Sequence, residues 1–292
     1  MNASALIPRP GSTLWRASGD PRVLTAAGYA LVMQVAHPTV AAGVREHSIY
    51  ATDPWGRLVR TLDYTYSMVF GGPAVAEATG RRLREMHTQI RGVTPEGRRY
   101  HALEPEAFAW VHATLIEATV TAHRRFGTQL SAAEIDSIYA EWLDLGRLIG
   151  LRERDLPSSW ESFMAYFRQM ETERLESSDV VDGVIGALTK PKAPPVALLP
   201  DPLWRVARLP LGRLTSLATV GLLSSPLRAK LGLTWTPAQD LQLRALGAAA
   251  RSCTALMPER MRVVGPAYLR RRGIAVEANV TAADPDERGI AA

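Results

Sequence analysis

Cysteine occurs once, at Cys253, in a chain of 292 residues. That scarcity excludes a disulfide framework within the chain, a multi-cysteine zinc or iron–sulfur site, and covalent haem attachment, which needs Cys-x-x-Cys-His. Lysine is scarce too: Lys190, Lys192 and Lys230 are the only lysines among 34 basic residues. The net charge of +5 is therefore carried by arginines, and these are interleaved with acids. No basic run with aromatic spacing occurs, so no nucleic-acid partner is expected. Long apolar runs are lacking. The longest, "LTSLATVGLLSSPL", is short for a membrane span and reads as a buried helix, with room left for peripheral membrane contact. The N-terminus "MNASALIPRPGST" has no charged region followed by an apolar core, so no signal peptide and a cytoplasmic location are expected. Runs of strictly alternating polarity, the mark of a half-buried strand, are absent as well.

What is present is helical punctuation. Asp20–Pro21 and Asp53–Pro54 each pair an N-cap acceptor with proline at the first helical position. Pro38 interrupts the first pattern and puts His37 next to a helix boundary. The helix from Pro54 is expected to run to Phe70 and stop at Gly71–Gly72, and Pro73 to start another that ends near Gly92. "GVTPEGRRYHALEP" reads as a loop. Residues 105–126 form a strong helix closed by Gly127, and Ser131 with Glu134 makes a capping box for the next. Ser158 or Ser159 caps a helix to about Glu176. "TKPKAPPVALLPDP" reads as an extended connection, and residues 203–273 return to helices. The composition supports an all-α fold, a compact single-domain helical assembly. Its expected parts are an N-terminal extension over 1–18, a helical domain over 19–273 and a flexible tail over 274–292.

Six histidines occur: His37, His47, His87, His101, His112 and His123. His112 and His123 lie eleven residues apart, about three turns, hence on one helical face. His87 falls in a last helical turn, where the helix dipole favours an electron-rich or protonated imidazole. No histidine has a glutamate three residues before it, which excludes the Glu-x-x-His pairs of di-iron bundles. HExxH, Gly-x-Ser-x-Gly and glycine-rich phosphate loops are missing. Arg57, Arg60 and Thr61 stand at i, i+3 and i+4 in the first two turns of their helix, a face able to grip carboxylates such as porphyrin propionates or simply to be solvated. Non-covalent haem held by one histidine is compatible with this pattern.

The ordered blocks "LVMQVAHPTVAAGVREHSIYATDPWGRLVRT", "VFGG", "RRLREMHTQIRGV" and "WVHATL" resemble the MpaB and latex-clearing-protein family of rubber-oxygenase-like proteins, over about residues 10–272. The resemblance implies an all-helical fold enclosing haem b and an oxygenase that uses dioxygen to cleave double bonds in an apolar, isoprenoid-like small molecule. It implies His87 as the iron ligand, Arg57, Arg60 and Thr61 beside the haem, and catalytic roles for Arg60 and Thr61. His112 is the rival ligand, and His37 and His47 are structural or distal-pocket residues. One departure stands out. The rubber oxygenases carry lysine at the position of Arg60, and arginine, always protonated, makes a poor iron ligand. Two other readings remain open: a non-catalytic haem-binding or sensing protein, and a metal-free helical lipid-binding module.

Overall fold

A computed structural model describes residues 5–194, 200–255, 257–258 and 261–276. Among them the helices are α1 (Thr13–Gly19), α2 (Ala27–Val35), α3 (Pro38–His47), α4 (Pro54–Phe70), α5 (Gly72–Thr88), α6 (Pro105–Phe126) and α7 (Ala132–Leu148). They continue as α8 (Trp160–Glu173), α9 (Asp179–Thr189), α10 (Asp201–Leu222), α11 (Ser225–Lys230), α12 (Pro237–Ala255) and α13 (Gly265–Arg271). The caps act as the sequence suggests. Asp20 accepts from the Arg22 amide, Asp53 from Gly56, Ser131 from Glu134 and Ser159 from Ser162. Each satisfies an amide that the first helical turn leaves unpaired.

Helix α6 is the mast of the fold. At 22 residues it spans about 33 Å, and it is buried along most of its length between the 3₁₀ turn Pro21–Ala26, α2, α7 and α12. Trp110, fully buried, donates its indole N–H to the Met33 carbonyl at 2.9 Å and so ties α6 to α2. The main core cluster runs from Leu14 to Leu269, and a smaller one gathers Phe126, Ala218 and Leu243. Leu14 and Ala17 of α1 are buried in the main cluster, and α1 packs on α7.

Helices α4 and α5 fold back on one another through Gly71 and make the most extensive helix pairing outside the α6 mast. Gly72 takes φ of 77°, a left-handed conformation natural for glycine at so short a reversal. Further along α5, Gly80 lies against the Leu148 carbonyl, 3.1 Å from where a Cβ would sit, so α5 reaches the end of α7 closely. Near the C-terminus α13 packs on α4: Tyr268 and Arg272 both donate to Asp63, at 2.8 and 2.7 Å. The segment from 277 onward, where most of the expected tail falls, and part of the proline-rich connection lie outside the described residues.

Two expectations are corrected. The helix from Pro73 ends at Thr88 rather than near Gly92, because the chain turns into a two-stranded antiparallel ribbon, β1 (Arg91–Val93) with β2 (Arg99–His101). The "GVTPEGRRYHALEP" segment is thus not all loop. Three-residue strands are too short to show an alternating pattern, and the intervening "TPEG" signals only the turn.

Candidate functional site

His87 lies half-buried in the last turn of α5. Its Nδ1 sits 2.7 Å from the Leu83 carbonyl one turn earlier. A carbonyl only accepts, so the proton is on Nδ1 and the Nε2 lone pair is free. No protein partner for Nε2 occurs among the described residues. The ring also stands edge-on to Phe108 of α6 at 5.6 Å, which fixes its plane. Burial, opposed by the Leu83 hydrogen bond, holds its pKa below the ordinary histidine value, so the ring is neutral at neutral pH.

His112 is spent differently. It is buried to 4% exposure, and its Nε2 donates to the Trp142 carbonyl at 2.8 Å while the ring meets the Trp142 indole edge-on. Burial, only partly offset by that bond, pushes its pKa down to about 4. His123 likewise gives Nε2–H to the Ala17 carbonyl at 3.1 Å, pinning α1 to the mast. His37, extended as the residue before Pro38, is buried with Nε2 3.4 Å from Glu106 Oε1, and its Nδ1 has no partner. Burial lowers its pKa, with Glu106 pulling the other way. His47 meets the Tyr100 hydroxyl at 3.2 Å, and His101 Nδ1 accepts from the Leu103 amide.

The arginine face is divided. Arg57 is half-buried and makes one described hydrogen bond, from Nε to the Ser48 hydroxyl at 3.2 Å, with no carboxylate partner among the described residues. Burial first, then the charge of Arg60, lowers its pKa, although a guanidinium keeps its proton regardless. Arg60 is exposed, 3.9 Å from the Asp53 carboxylate. Thr61 is exposed and donates to the Arg57 carbonyl at 2.9 Å. Among the described residues no hydrogen bond, ion pair or ring contact joins Arg57, Arg60 or Thr61 to His87: Arg57 reaches Ser48, Arg60 faces Asp53, and His87 meets Leu83 and Phe108.

The larger cavity lies elsewhere. About 710 Å³ opens beside the hairpin turn, walled by Trp15, Phe70, Pro73, Pro266 and Ile274. A second, about 470 Å³, lies on the ribbon beside Arg91, Tyr100 and His101. Neither is lined by His87, His112, His37, Arg57, Arg60 or Thr61. No group of three metal-ligating side chains occurs among the described residues, and a haem iron held by one histidine requires none. A buried acid escaped the sequence reading: Glu117, 6% exposed on α6, accepts from Thr121 at 2.5 Å and lies against Tyr29. Burial raises its pKa. A glutamate in the apolar stretch "LIEATV" is the signal that marks it.

The described residues thus form a helical protein in which His87 keeps an unpartnered Nε2 on the α4–α5 hairpin. Residues 15–252 match the family described as ER-bound oxygenase mpaB/B′/rubber oxygenase, catalytic domain, and the chain belongs to that family. It is thereby oxygenase-like. Uncharacterized proteins of Mycobacterium tuberculosis and Mycobacterium bovis are each 26% identical over 234 residues, covering 79% of this chain and 88% of the relative. No solved structure matches the chain significantly.

Proposed function

We propose that the protein is a haem b-dependent oxygenase acting with dioxygen on an apolar, isoprenoid-like unsaturated small molecule, with His87 as the iron ligand. The observation that carries this reading is the state of the His87 ring. Its Nδ1–H is held by a backbone carbonyl, the ring is neutral, and Nε2 presents a free lone pair. Metal-ligating histidines are oriented by this kind of bond through the other nitrogen. His112 and His123 have given Nε2 to carbonyls, which counts against either as the ligand and favours structural roles for them.

The remaining residues fit the group. Arg57 is a sheltered cation without a carboxylate, a state that a haem propionate would relieve. Arg60 sits one turn on and can swing from Asp53, a contact too long and too exposed to hold it. Thr61 can turn its hydroxyl from the Arg57 carbonyl toward a water or substrate. His37, with one buried nitrogen unpartnered among the described residues, would give a hydrogen bond in the distal region on this reading. The haem, if bound, would activate dioxygen, and the electrons that reduce the dioxygen would come from the substrate double bond as its two carbons become carbonyls. The protein's part is to fix the ligand ring between Leu83 and Phe108, neutralise the propionates with Arg57 and Arg60, and keep the surroundings apolar.

Hemin titration of the purified protein tests this. One hemin per chain with a Soret band, followed by dioxygen uptake when an unsaturated isoprenoid is added, is the expected result. A protein that takes up no hemin overturns the haem reading, and hemin uptake without dioxygen consumption would leave a haem-binding or sensing protein.

A further inference from the structure

We propose that the first half of α10 is a membrane-docking helix that lies on an anionic lipid surface. A helix of a soluble protein turns its apolar stripe inward. Here the arrangement is reversed. Leu203, Val206, Pro210 and Leu214, at i, i+3, i+7 and i+11, form one face and are all exposed, with Val206 at 67% and Leu203 at 56%. Leu209 and Leu211 widen it and are also exposed. The inward row is instead Trp204, Arg208, Gly212 and Thr215, with Gly212 seated on the Thr189 carbonyl of α9. At Leu217 the same stripe enters the smaller core cluster, and Ala218, Thr219 and Val220 are buried. The run "LTSLATVGLLSSPL" is therefore mostly core, and the outward apolar surface lies just before it.

The occupant is indicated by charge. From Pro202 to Leu222 the helix carries Arg205, Arg208 and Arg213 and no acid. None of the three has an ion pair among the described residues. Arg205 and Arg213 are exposed and flank Leu209 on one side of the apolar face, so they could reach lipid phosphates while the leucines enter the acyl boundary. Pro210 adds to this. It has no N–H to give the Val206 carbonyl, which is left to water or headgroups on the exposed side. Among the described residues no single helix is long and apolar enough to cross a membrane, and the contact proposed is one of lying on the surface.

The test is co-sedimentation of the full chain with vesicles of phosphatidylcholine mixed with phosphatidylglycerol, and with phosphatidylcholine alone. It reads binding without hemin, so its outcome is independent of the haem reading. Wild-type protein should pellet with the anionic vesicles and be released by salt. Val206→Asp combined with Leu203→Ser should weaken binding at least tenfold, and Arg205→Gln and Arg213→Gln roughly fivefold each, with unchanged helical circular dichroism. Protein that stays in the supernatant with both vesicles, or variants that pellet like wild type, would overturn the proposal. So would a concentration-dependent dimer that Val206→Asp abolishes, which would give the face to a second copy of the chain.

Discussion

The mast helix α6 and the α4–α5 hairpin carry the same kinds of side chain to opposite ends. On α6 both histidines are buried and both spend Nε2 on backbone carbonyls of neighbouring elements. On the hairpin, His87 spends only Nδ1, on its own helix, and Arg57 meets no carboxylate. Polar groups that bridge elements hold the fold together; His87, bonded only to its own helix, keeps Nε2 available, while Arg57, which reaches the Ser48 hydroxyl beyond its helix, keeps an uncompensated charge. Burial alone does not separate the two, since His87 is also half-sheltered.

The sharpest way to break that contrast is to delete one histidine from each side. His87→Ala should lower hemin affinity on the order of a thousandfold, about 4 kcal/mol, and barely move the melting temperature. His112→Ala should keep hemin affinity per folded molecule but lose roughly 3 kcal/mol of stability, because it leaves a cavity and an unpaired Trp142 carbonyl. Hemin titration and urea unfolding of both variants check this, and an exchange of the two phenotypes would move the ligand to His112.

Acid sharpens the same contrast. His112 has a folded pKa of about 4 against an ordinary 6.5, so the folded state binds fewer protons. Its contribution is whole above pH 6.5 and is lost as pH falls toward 4, at most about 3 kcal/mol. Glu117 acts with the opposite sign. Its raised pKa means the folded state holds the extra proton, so stability falls as pH rises above the ordinary 4.5. Unfolding midpoints across pH should lose the acid-side fall in His112→Gln and the fall on raising pH in Glu117→Gln.

A smaller effect concerns Arg57. In the apo-protein Arg57→Met should change stability by no more than about 1 kcal/mol, since it removes a sheltered charge that has the Ser48 hydroxyl but no carboxylate partner among the described residues. With hemin it should weaken binding roughly tenfold. Equal destabilisation with and without hemin would make Arg57 a structural residue. Arg60→Lys should change stability least, by under about 0.5 kcal/mol. Its use is spectroscopic, because a lysine there can lose its proton and approach the iron as arginine cannot. A six-coordinate shift at high pH is expected, and a spectrum constant across pH would show that position 60 does not reach the metal.

Much of the helical order could be read from caps and breakers. Asp20, Pro38, Asp53, Gly71, Gly127 and Ser131 mark boundaries through local chemistry, and local chemistry is what a sequence displays. The β1–β2 ribbon was too short for periodicity. Which histidine keeps a free nitrogen was not legible either: the Trp142 and Ala17 carbonyls lie 30 and 106 residues away from the side chains they satisfy. Arg57, Arg60 and Thr61 were legible as one face, but not that Arg57 alone of the three would be sheltered. The exposed stripe of α10 has ordinary helical spacing, and only packing reveals that it faces outward.

Asp63 receives Tyr268 and Arg272 from 205 and 209 residues further along the chain, and the Gly19 carbonyl is met by the Val264 amide. Part of the packing around α4 is therefore supplied by α13, more than 200 residues further along the chain. During synthesis, which proceeds from the N-terminus, the hairpin is made early and must wait for its last neighbour, a contact of high sequence separation that forms late. On the haem reading proposed above, loading should then follow synthesis of α13. Nascent chains stalled before Gly265 should capture hemin poorly, and the same chains extended past Arg272 should take it up on release.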